Sequence, residues 1–249
     1  VAGVVAQQAV VRRDLAQAGA VDVLLPNQLA VGEQHAAAVP VQIDAGDRSL
    51  VDGFKLAVGL DGRKNDQSVA QAVGPAPVAG ETAPAYVLRL AENKARVTLA
   101  NLEPTRAGQS WVLAADTTVA IDGQILGKPA DVAEAEAMLS SLRGRTHQVL
   151  SGLALLRGKD EECWRDLCTT DVQMREFSET EMRAYIASGD PFDKAGGYAI
   201  QHTGFSPVHA WHGCFANVVG LPLCRLERLL MASGCQARGK PELVCTDRE

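Results

Sequence analysis

The chain has 249 residues, of which 47% are hydrophobic and 22% charged, so it can bury the core of one α/β domain or of two small ones without disulfide or metal support. Its formal net charge of −6 argues against a protein that binds the nucleic-acid backbone, which needs a surplus of basic residues. No stretch approaches the roughly 18 apolar residues of a membrane span, and the first arginines follow the apolar N-terminal stretch instead of preceding it, unlike those of a signal peptide. We therefore expect a cytoplasmic protein with no nucleic-acid or membrane partner.

The amino-acid composition changes sharply near Gly80. Residues 1–80 are rich in Ala and Val and contain one aromatic residue, Phe54, whereas every Trp, Tyr, Cys and Met follows them. No helical or strand period persists in this first part. The sequence predicts three regions: a divergent N-terminal region at 1–80 with no assignable fold, a folded domain at 81–235, and a polar tail at 236–249.

The folded domain begins with the segment "ETAPAYVLRLAENKARVTLA", which predicts an amphipathic helix. Pro84 lies near its start, where proline is favoured, and Lys94 falls at the edge of the apolar face. The next segment, "SWVLAADTTVAIDGQILGKP", predicts a strand, a tight turn at Asp122-Gly123 and a short return strand. A helix joined to a hairpin indicates a mixed α/β domain.

The rest of the domain alternates helices and strands. Asp131 and Glu134 predict the start of a helix that stops at Gly144, and Ser178 with Glu181 predicts the capping box of another that stops at Gly189. Two strands are predicted between these helices, and a last helix starts at Pro222 and ends by Gly234. The predicted class is α/β, with strands and helices in one layered core.

Several polar residues follow the apolar runs. Asp116 lies where a strand pattern changes from apolar residues to two threonines, so its carboxylate is either delivered to the rim of a sheet or caps a nearby turn. Lys128, between Gly127 and Pro129, is either a ligand-binding cation or a solvated turn residue. Asp193, Lys194 and the Gly-Gly pair after them predict a loop that can bring backbone close to a ligand.

Taken in order, these segments resemble a known family. The blocks are "YVLRLAENKA", "LAADTTVAIDGQILGKP", "AEAMLSSLRGRTHQVLSGLAL", "DKAGGYAIQHTG" and "NVVGLPL". Their series closely resembles the Maf family of nucleoside triphosphate pyrophosphatases over about residues 81–230. The resemblance implies an inosine-triphosphatase-like fold, with a mixed sheet and flanking helices, and hydrolysis of a nucleoside triphosphate to the monophosphate and diphosphate.

The resemblance also implies site residues. Asp116 matches the family's catalytic aspartate, the proposed proton acceptor, and Lys94 and Lys128 match lysines that face the triphosphate. Thr117 and Gln201 stand at positions that mark the branch hydrolysing dTTP and UTP, as opposed to the branch acting on 7-methyl-GTP. The implied cofactor is a divalent cation, Mg²⁺ or Mn²⁺, whose ligands are not specified, and the implied partner is the nucleotide substrate.

These residue types suit the chemistry. Hydrolysis between the α- and β-phosphates asks the protein mainly to position water and to neutralise about four negative charges, which lysines and a divalent cation can do. Asp116 can deprotonate the water or hold the metal, and both roles stay open. The Gln201 amide offers one acceptor and two donors, which can pair with the N3 hydrogen and a carbonyl of uracil or thymine.

The N-terminal part departs from the family pattern. The family opens with a strand, a Ser-x-Ser-Pro-Arg-Arg loop and a helix, followed by an acidic pair, whereas this chain offers only Arg12 and Arg13 without the serines and proline. The arginine doublet is either a remnant of that loop or an exposed basic pair. A shifted reading frame, a misplaced start and a genuine divergent extension are three explanations. Without that first strand, one edge of the sheet is expected to be bare.

Other features suggest simpler roles. His147, His209 and His212 share no ligand spacing, so we expect satisfied structural histidines. The six cysteines contain no C-x-x-C pair, which predicts reduced structural thiols and indicates neither a zinc site nor a redox motif. Asn217 matches a family block and can equally fix the loop before the last helix.

Two alternatives to the dTTP/UTP pyrophosphatase remain open. One is a catalytically impaired nucleotide-binding protein that acts in cell-division control, and the other is a pyrophosphatase for a modified purine nucleotide such as 7-methyl-GTP. An exposed sheet edge would also permit a homodimer.

Overall fold

The computed structural model describes residues 76–102, 104–108 and 110–234, together with the backbone of five short strands outside those ranges. The ten strands are β1 (Val10–Arg12), β2 (Asp22–Leu24), β3 (Gln42–Asp44), β4 (Phe54–Val58), β5 (Trp111–Ile121), β6 (Gln124–Leu126), β7 (Thr146–Arg157), β8 (Cys163–Met174), β9 (Val208–His212) and β10 (Gln236–Arg238). The helices of this described part are α1 (Ala83–Ala100), α2 (Pro104–Ala107), α3 (Val132–Leu142), α4 (Glu179–Ala187), α5 (Phe215–Val219) and α6 (Leu223–Ala232).

The larger sheet has six strands and is mixed. Its order is β4-β5-β7-β8-β9, and β6 forms a hairpin with β5. Strands β4 and β5 are parallel, whereas β5, β7, β8 and β9 pair antiparallel along the path. A second sheet contains β1, β2, β3 and β10. The predicted α/β class, with a mixed sheet and flanking helices, is confirmed.

The edge of the sheet differs from the sequence-based expectation. Strand β4 lies beside β5 with Phe54 opposite Trp111 and Val58 opposite Ala115, so the backbone of the N-terminal region covers the edge that we expected to be bare. Residues 236–238, placed by their composition in a polar tail, pair with β3. At the other end of the sheet path stands β9, and the homodimer that such an edge would permit stays a prediction.

Two apolar layers cover opposite faces of the sheet. On one face, α1 packs Val87, Ala91 and Ala95, all completely buried, over β5 and β7. On the other face, α6 covers one end of these strands and α3 the other. The apolar face of α1 is the one predicted from its 3.6-residue period, whereas Val132, at the start of α3, is exposed.

Local capping explains where the helices start. The Thr82 side chain accepts a hydrogen bond from the Ala85 amide, and Asp131 accepts one from the Glu134 amide at 2.9 Å. Ser178 and Glu181 form the predicted capping box. The predicted hairpin is also present, with Asp122 and Gly123 both at positive φ. No helix in the described part of the chain has the length and apolar character needed to cross a bilayer.

His147 is a buried histidine with one partnered ring nitrogen. Its Nε2 lies 2.6 Å from the Tyr198 hydroxyl, whereas Nδ1 has no hydrogen-bond partner among the described residues. Burial lowers the pKa of His147 to about 4, and Asp171 acts weakly in the opposite direction. The expectation of a satisfied histidine is therefore met at one nitrogen only. His209 and His212 are exposed on β9 instead of lying in the core.

We expect His147 to make the protein less stable in mild acid. Between its ordinary pKa and about 4, the unfolded chain binds a proton that the native state does not, so stability falls as the pH falls through that window. From pH 7 to pH 5 the free energy of unfolding should fall by about 2 kcal/mol more in the wild type than in His147→Gln. Urea denaturation of both proteins at the two pH values measures this. Equal losses in the two proteins would contradict the assignment.

Candidate active site

The candidate site is a gap at the edge of β5. On this edge, β4 pairs with β5 up to Ala115, and β6 pairs with it from Val119 onward. Residues 116–118 lie between the two, with no backbone strand pairing on this side in the described part of the chain. Such crevices beyond the carboxyl end of a parallel strand are common ligand sites in α/β proteins. The gap begins at Asp116.

The alternation of side chains along β5 separates Asp116 from Thr117. Val112 and Ala114 pack under α1, so Asp116, at the same parity, points to the α1 side of the sheet. Thr117 points to the other side, where its hydroxyl faces the carbonyl of Gly220 at 3.4 Å. The two predicted site residues are thus neighbours in sequence on opposite faces of the sheet.

Lys94 from α1 is paired with Asp116. Its Nζ lies 2.6 Å from Asp116 Oδ1, and the two side chains keep exposed fractions of 21% and 14%. The carboxylate is therefore mostly buried and still reaches solvent. This contact joins two of the site residues that the resemblance implied. Lys94 lies in α1 and Asp116 in β5, and α2 comes between them along the chain.

A glycine opposite Asp116 allows α1 to approach. Gly152 of β7 is the register partner of Asp116, and a Cβ built on it would lie 2.5 Å from the Val87 carbonyl oxygen. Only a residue without a side chain fits under this turn of α1. The close approach holds Lys94, two turns further along the helix, over the carboxylate.

The surroundings of Asp116 make it a better base. Burial raises the pKa of its carboxyl group, and the ammonium group of Lys94 opposes that shift through both charge and hydrogen bonding. Arg89 contributes a weaker opposing effect. A carboxylate with a raised pKa holds an abstracted proton more firmly than one in water, while the charge of its lysine partner favours the ionised form.

Arg89 is a site neighbour that the sequence patterns did not indicate. Its guanidinium donates two hydrogen bonds to Glu81, each at 2.7 Å, and lies 5.5 Å from the centre of the Tyr86 ring. The bidentate pair lowers the pKa of Glu81 to about 2. Arg89 lies about one and a half turns before Lys94 on α1, outside the apolar face of the helix. Its position in the sequence therefore did not indicate that it lies near Asp116.

Lys128 lies on a second cationic segment. It follows β6, is exposed, and neighbours Asp193 and Lys194. Crowding by protein atoms lowers the pKa of Lys128, and the charge of Asp193 opposes this. Lys194 in turn donates to Asp193 Oδ1 at 2.6 Å.

Backbone contacts join the two loops that carry these residues. The Gly196 amide donates a hydrogen bond to the Gly127 carbonyl at 2.9 Å. Gly196 has a φ of +69°, a conformation that favours glycine, and a Cβ on it would lie within a tight 3.0 Å of Val119 Cγ2. These contacts are with β5 and the Gly127 loop, and the predicted approach of the glycine pair to a ligand stays a prediction.

A buried polar network surrounds Thr117. The hydroxyl oxygens of Thr117 and Ser151 are 2.6 Å apart. Asn217, completely buried in the middle of α5, donates to the Val149 carbonyl at 2.9 Å and to Thr170 Oγ1 at 3.0 Å. Asn217 therefore fixes the loop before the last helix, one of the two roles left open by its sequence.

Gln201 is half-buried in the turn that follows the 3₁₀ helix Ala195–Gly197. No hydrogen bond seen in residues 110–234 joins it to Thr117 or to Asp116, so its predicted role in selecting the base rests on position alone. Arg12 ends β1 in the smaller sheet, with its side chain outside the description, and Arg13 lies outside the described residues. Their role also stays a prediction.

Asp116 can hold a divalent cation only if a bound substrate and water supply further oxygen ligands. Within the described residues, no group of three or more carboxylate or histidine ligands gathers around it. Mg²⁺ typically binds one or two carboxylates and completes its octahedron with substrate phosphates and water. A single oxygen ligand at the rim of the gap fits that mode.

Comparison with known proteins shows the family. The model of the family described as "Maf-like protein" matches residues 60–233, which extends the similarity upstream from residue 81. The chain is 50% identical to the "dTTP/UTP pyrophosphatase" of Thermomicrobium roseum over 145 residues, 58% of this chain and 63% of that relative. It is 49% identical to the protein of that name from Myxococcus xanthus over 158 residues, which covers 64% of this chain and 76% of the relative. It is 43% identical to the protein of that name from Clostridium acetobutylicum over 153 residues, which covers 60% of this chain and 77% of the relative.

The chain thus spans less than two thirds of the Thermomicrobium relative and about three quarters of the other two. The matched residues contain β5, the loops that carry Lys128 and Lys194, and the Asp116–Lys94 pair. Because the family model covers well over half of the sequence, the chain belongs to the Maf-like protein family.

Proposed function

We propose that the protein is a nucleoside triphosphate pyrophosphatase that hydrolyses dTTP and UTP to the nucleoside monophosphate and diphosphate. The observation that carries this proposal is the 2.6 Å pair of Asp116 and Lys94 in the gap at the edge of β5. The names of the three relatives support the substrate class. The pair supplies the two chemical groups that the reaction needs first, a base and a cation.

The reaction adds water across the bond between the α- and β-phosphates. The water oxygen bonds to the α-phosphorus, the bond to the bridging oxygen breaks, and diphosphate leaves with that oxygen. Asp116 accepts the proton of the attacking water, while Lys94 and Lys128 neutralise charge on the phosphates. A divalent cation, Mg²⁺ or Mn²⁺, would be held by the Asp116 carboxylate and would supply further neutralisation of the charge on the phosphates.

Lys94 has two roles in this proposal. In the structure it neutralises Asp116, and with substrate present its ammonium is shared with the phosphate chain. The pairing restrains Asp116 without removing it from solvent, because the carboxylate keeps an exposed fraction of 14%. Substrate binding, by drawing Lys94 toward phosphate, makes Asp116 more basic at the moment when it must take a proton.

We expect Lys94→Met to move the pH profile and to weaken catalysis. Lys94 lowers the pKa of Asp116 against the effect of burial, so its loss should raise that pKa and shift the acid limb of kcat/KM to higher pH. Loss of a charged hydrogen bond to phosphate should also reduce kcat/KM by about 10- to 100-fold. Steady-state rates across pH 5 to pH 9 measure both, with the exposed Lys159→Met as the matched control. An unchanged acid limb would contradict the role of Lys94.

We place Thr117 and Gln201 on the base or sugar of the nucleotide. Thr117 lies on the opposite face from Asp116, so any contact it makes to substrate comes through the α5–α6 side of the sheet or through its backbone at the open edge. Gln201 can donate and accept at a pyrimidine edge, as an amide must to pair with N3–H and a carbonyl.

The base-selecting role of Gln201 gives a direct prediction. Gln201→Glu removes the two amide donors, so the ratio of UTP to GTP turnover should fall by about 10-fold or more, the cost of one unpaired polar contact. Gln173→Glu, at an exposed position of β8, is the matched control. Turnover of both nucleotides with purified variants measures the ratio, and an unchanged ratio excludes Gln201 from base selection.

A panel of nucleotides tests the function as a whole. We expect diphosphate release from dTTP and UTP with Mg²⁺ or Mn²⁺, and much slower release from GTP and 7-methyl-GTP. Preference for 7-methyl-GTP would instead support the modified-purine alternative. Binding of nucleotide without turnover would support the impaired binding protein in cell-division control. A cytoplasmic location, also a prediction, is tested by fractionation of cells.

A further inference from the structure

Three cysteines that are distant in sequence meet on the α6 side of the sheet. Cys168 lies in the middle of β8, Cys214 immediately precedes α5, and Cys224 is the second residue of α6. Their three sulfur atoms lie within 4.8 Å of one another, and the Sγ atoms of Cys214 and Cys224 are 3.8 Å apart. The sequence did not predict this cluster, because the cysteines show no C-x-x-C spacing.

The three residues stand on well-held backbone. Cys168 is completely buried and Cys214 nearly so, whereas Cys224 is half-buried, which leaves one side of the cluster open to approach. Thr170 binds both backbone groups of Cys214: its hydroxyl donates to the carbonyl and accepts from the amide, each at 3.1 Å. These two hydrogen bonds hold the backbone of Cys214 in place.

The spacing of the sulfur atoms suits a metal ion. Zn²⁺ binds thiolates at about 2.3 Å in a tetrahedron, which separates neighbouring sulfurs by about 3.8 Å. The Cys214–Cys224 distance has that value already, and the third sulfur needs to move by less than a bond length. Soft thiolate ligands select Zn²⁺ and Cu⁺ over the hard cations Mg²⁺ and Mn²⁺ that suit Asp116.

We propose that Cys168, Cys214 and Cys224 form a three-thiolate site for one thiophilic d¹⁰ metal ion, Zn²⁺ or Cu⁺. Each metal–sulfur bond replaces an S–H bond, and the thiol proton leaves to solvent without any change of oxidation state. With Zn²⁺, a water molecule can complete the tetrahedron on the open side of Cys224; Cu⁺ is satisfied by the three sulfurs. The site is separate from the carboxylate gap and makes no use of Asp116 or Lys94.

Metal binding at this cluster depends on pH. Because the ligand is the thiolate, each thiol must release its proton when the metal binds, and the measured affinity should therefore increase with pH.

The decisive experiment uses the full chain with the other three cysteines removed. Cys163, Cys235 and Cys245 are changed to Ser, and the variant is titrated anaerobically with Zn²⁺ in one arm and Cu⁺ in another, against a competing chelator. We expect one equivalent to bind in at least one arm. A further change, Cys224→Ser, should weaken that binding by at least about 100-fold, more than loss of a supporting residue does.

A second readout does not depend on the folding of the Cys224→Ser variant. In the wild-type chain, one equivalent of metal should protect Cys224, the half-buried member of the cluster, from alkylation, as mapped by mass spectrometry, and should leave Cys163 reactive. Co²⁺ should give the sulfur-to-metal charge-transfer band of thiolate ligation. Absence of stoichiometric binding in both arms, or protection of Cys163 in place of Cys224, would overturn the proposal and leave the cluster as buried thiols.

Discussion

Asp116→Asn is expected to lower kcat for dTTP and UTP by about 10²- to 10⁴-fold, the usual contribution of a general base. The amide keeps the size of the side chain and can still accept a hydrogen bond from Lys94 Nζ, now 2.6 Å from the carboxylate, so the fold should persist. It cannot accept the proton of the attacking water. Release of diphosphate under saturating substrate measures the effect.

The matched control is Asp171→Asn. Asp171 is exposed on β8 and accepts a hydrogen bond from Gln148 at 3.2 Å, so it shares the chemistry of Asp116 but not its location. Its substitution should leave kcat within about twofold, as for other exposed changes. Asp116→Asn with wild-type turnover would remove Asp116 from the mechanism, and nucleotide binding retained by that variant would separate loss of chemistry from loss of the site.

Gly152→Ala is expected to lower the free energy of unfolding by about 3 kcal/mol and to reduce activity as well. The new Cβ would stand 2.5 Å from the Val87 carbonyl oxygen and 2.8 Å from the Leu88 amide nitrogen, both backbone atoms that cannot rotate away. Relief requires α1 to move off the sheet. Because Lys94 is on α1, that movement should also lengthen its contact with Asp116.

The control for this prediction is Gly108→Ala. A Cβ on Gly108 would meet nothing within 4 Å, so the substitution tests the loss of glycine without the collision. Chemical denaturation of both variants gives the two stability changes, and kcat/KM gives the functional one. Equal stability of Gly152→Ala and the wild type would show that α1 is not held as closely as the structure indicates.

Much of the local structure could be predicted because it depends on neighbouring residues. The capping box of Ser178 and Glu181, the Asp122-Gly123 turn and the stripe of α1 each involve positions at most a few residues apart. Propensity, capping and periodicity act at that range. The α/β class followed from the resulting order of elements.

The arrangement of the site was less predictable. Strand alternation alone would have placed Asp116 and Thr117 on opposite faces, but which face meets α1 depends on the packing of Val112 and Ala114. Gly152 is visible in the sequence as a glycine within a strand, a sign of close backbone approach, although only the register with Asp116 reveals its partner. The pairing of β4 with β5 could not be anticipated, because the N-terminal region shows no sustained period.

The sequence by itself determined most of the helices and strands described between residues 81 and 234 and the blocks typical of the family, since these depend on residue type and short-range spacing. The base and its two lysines are predictions from the same blocks. The tertiary structure decided which of them meet. Lys94 reaches Asp116 because Gly152 lets α1 lie close to the sheet. The three cysteines meet because α5 and α6 pack against the face of the sheet to which Cys168 of β8 points. Contacts between segments far apart along the chain depend on packing geometry, which no local pattern encodes.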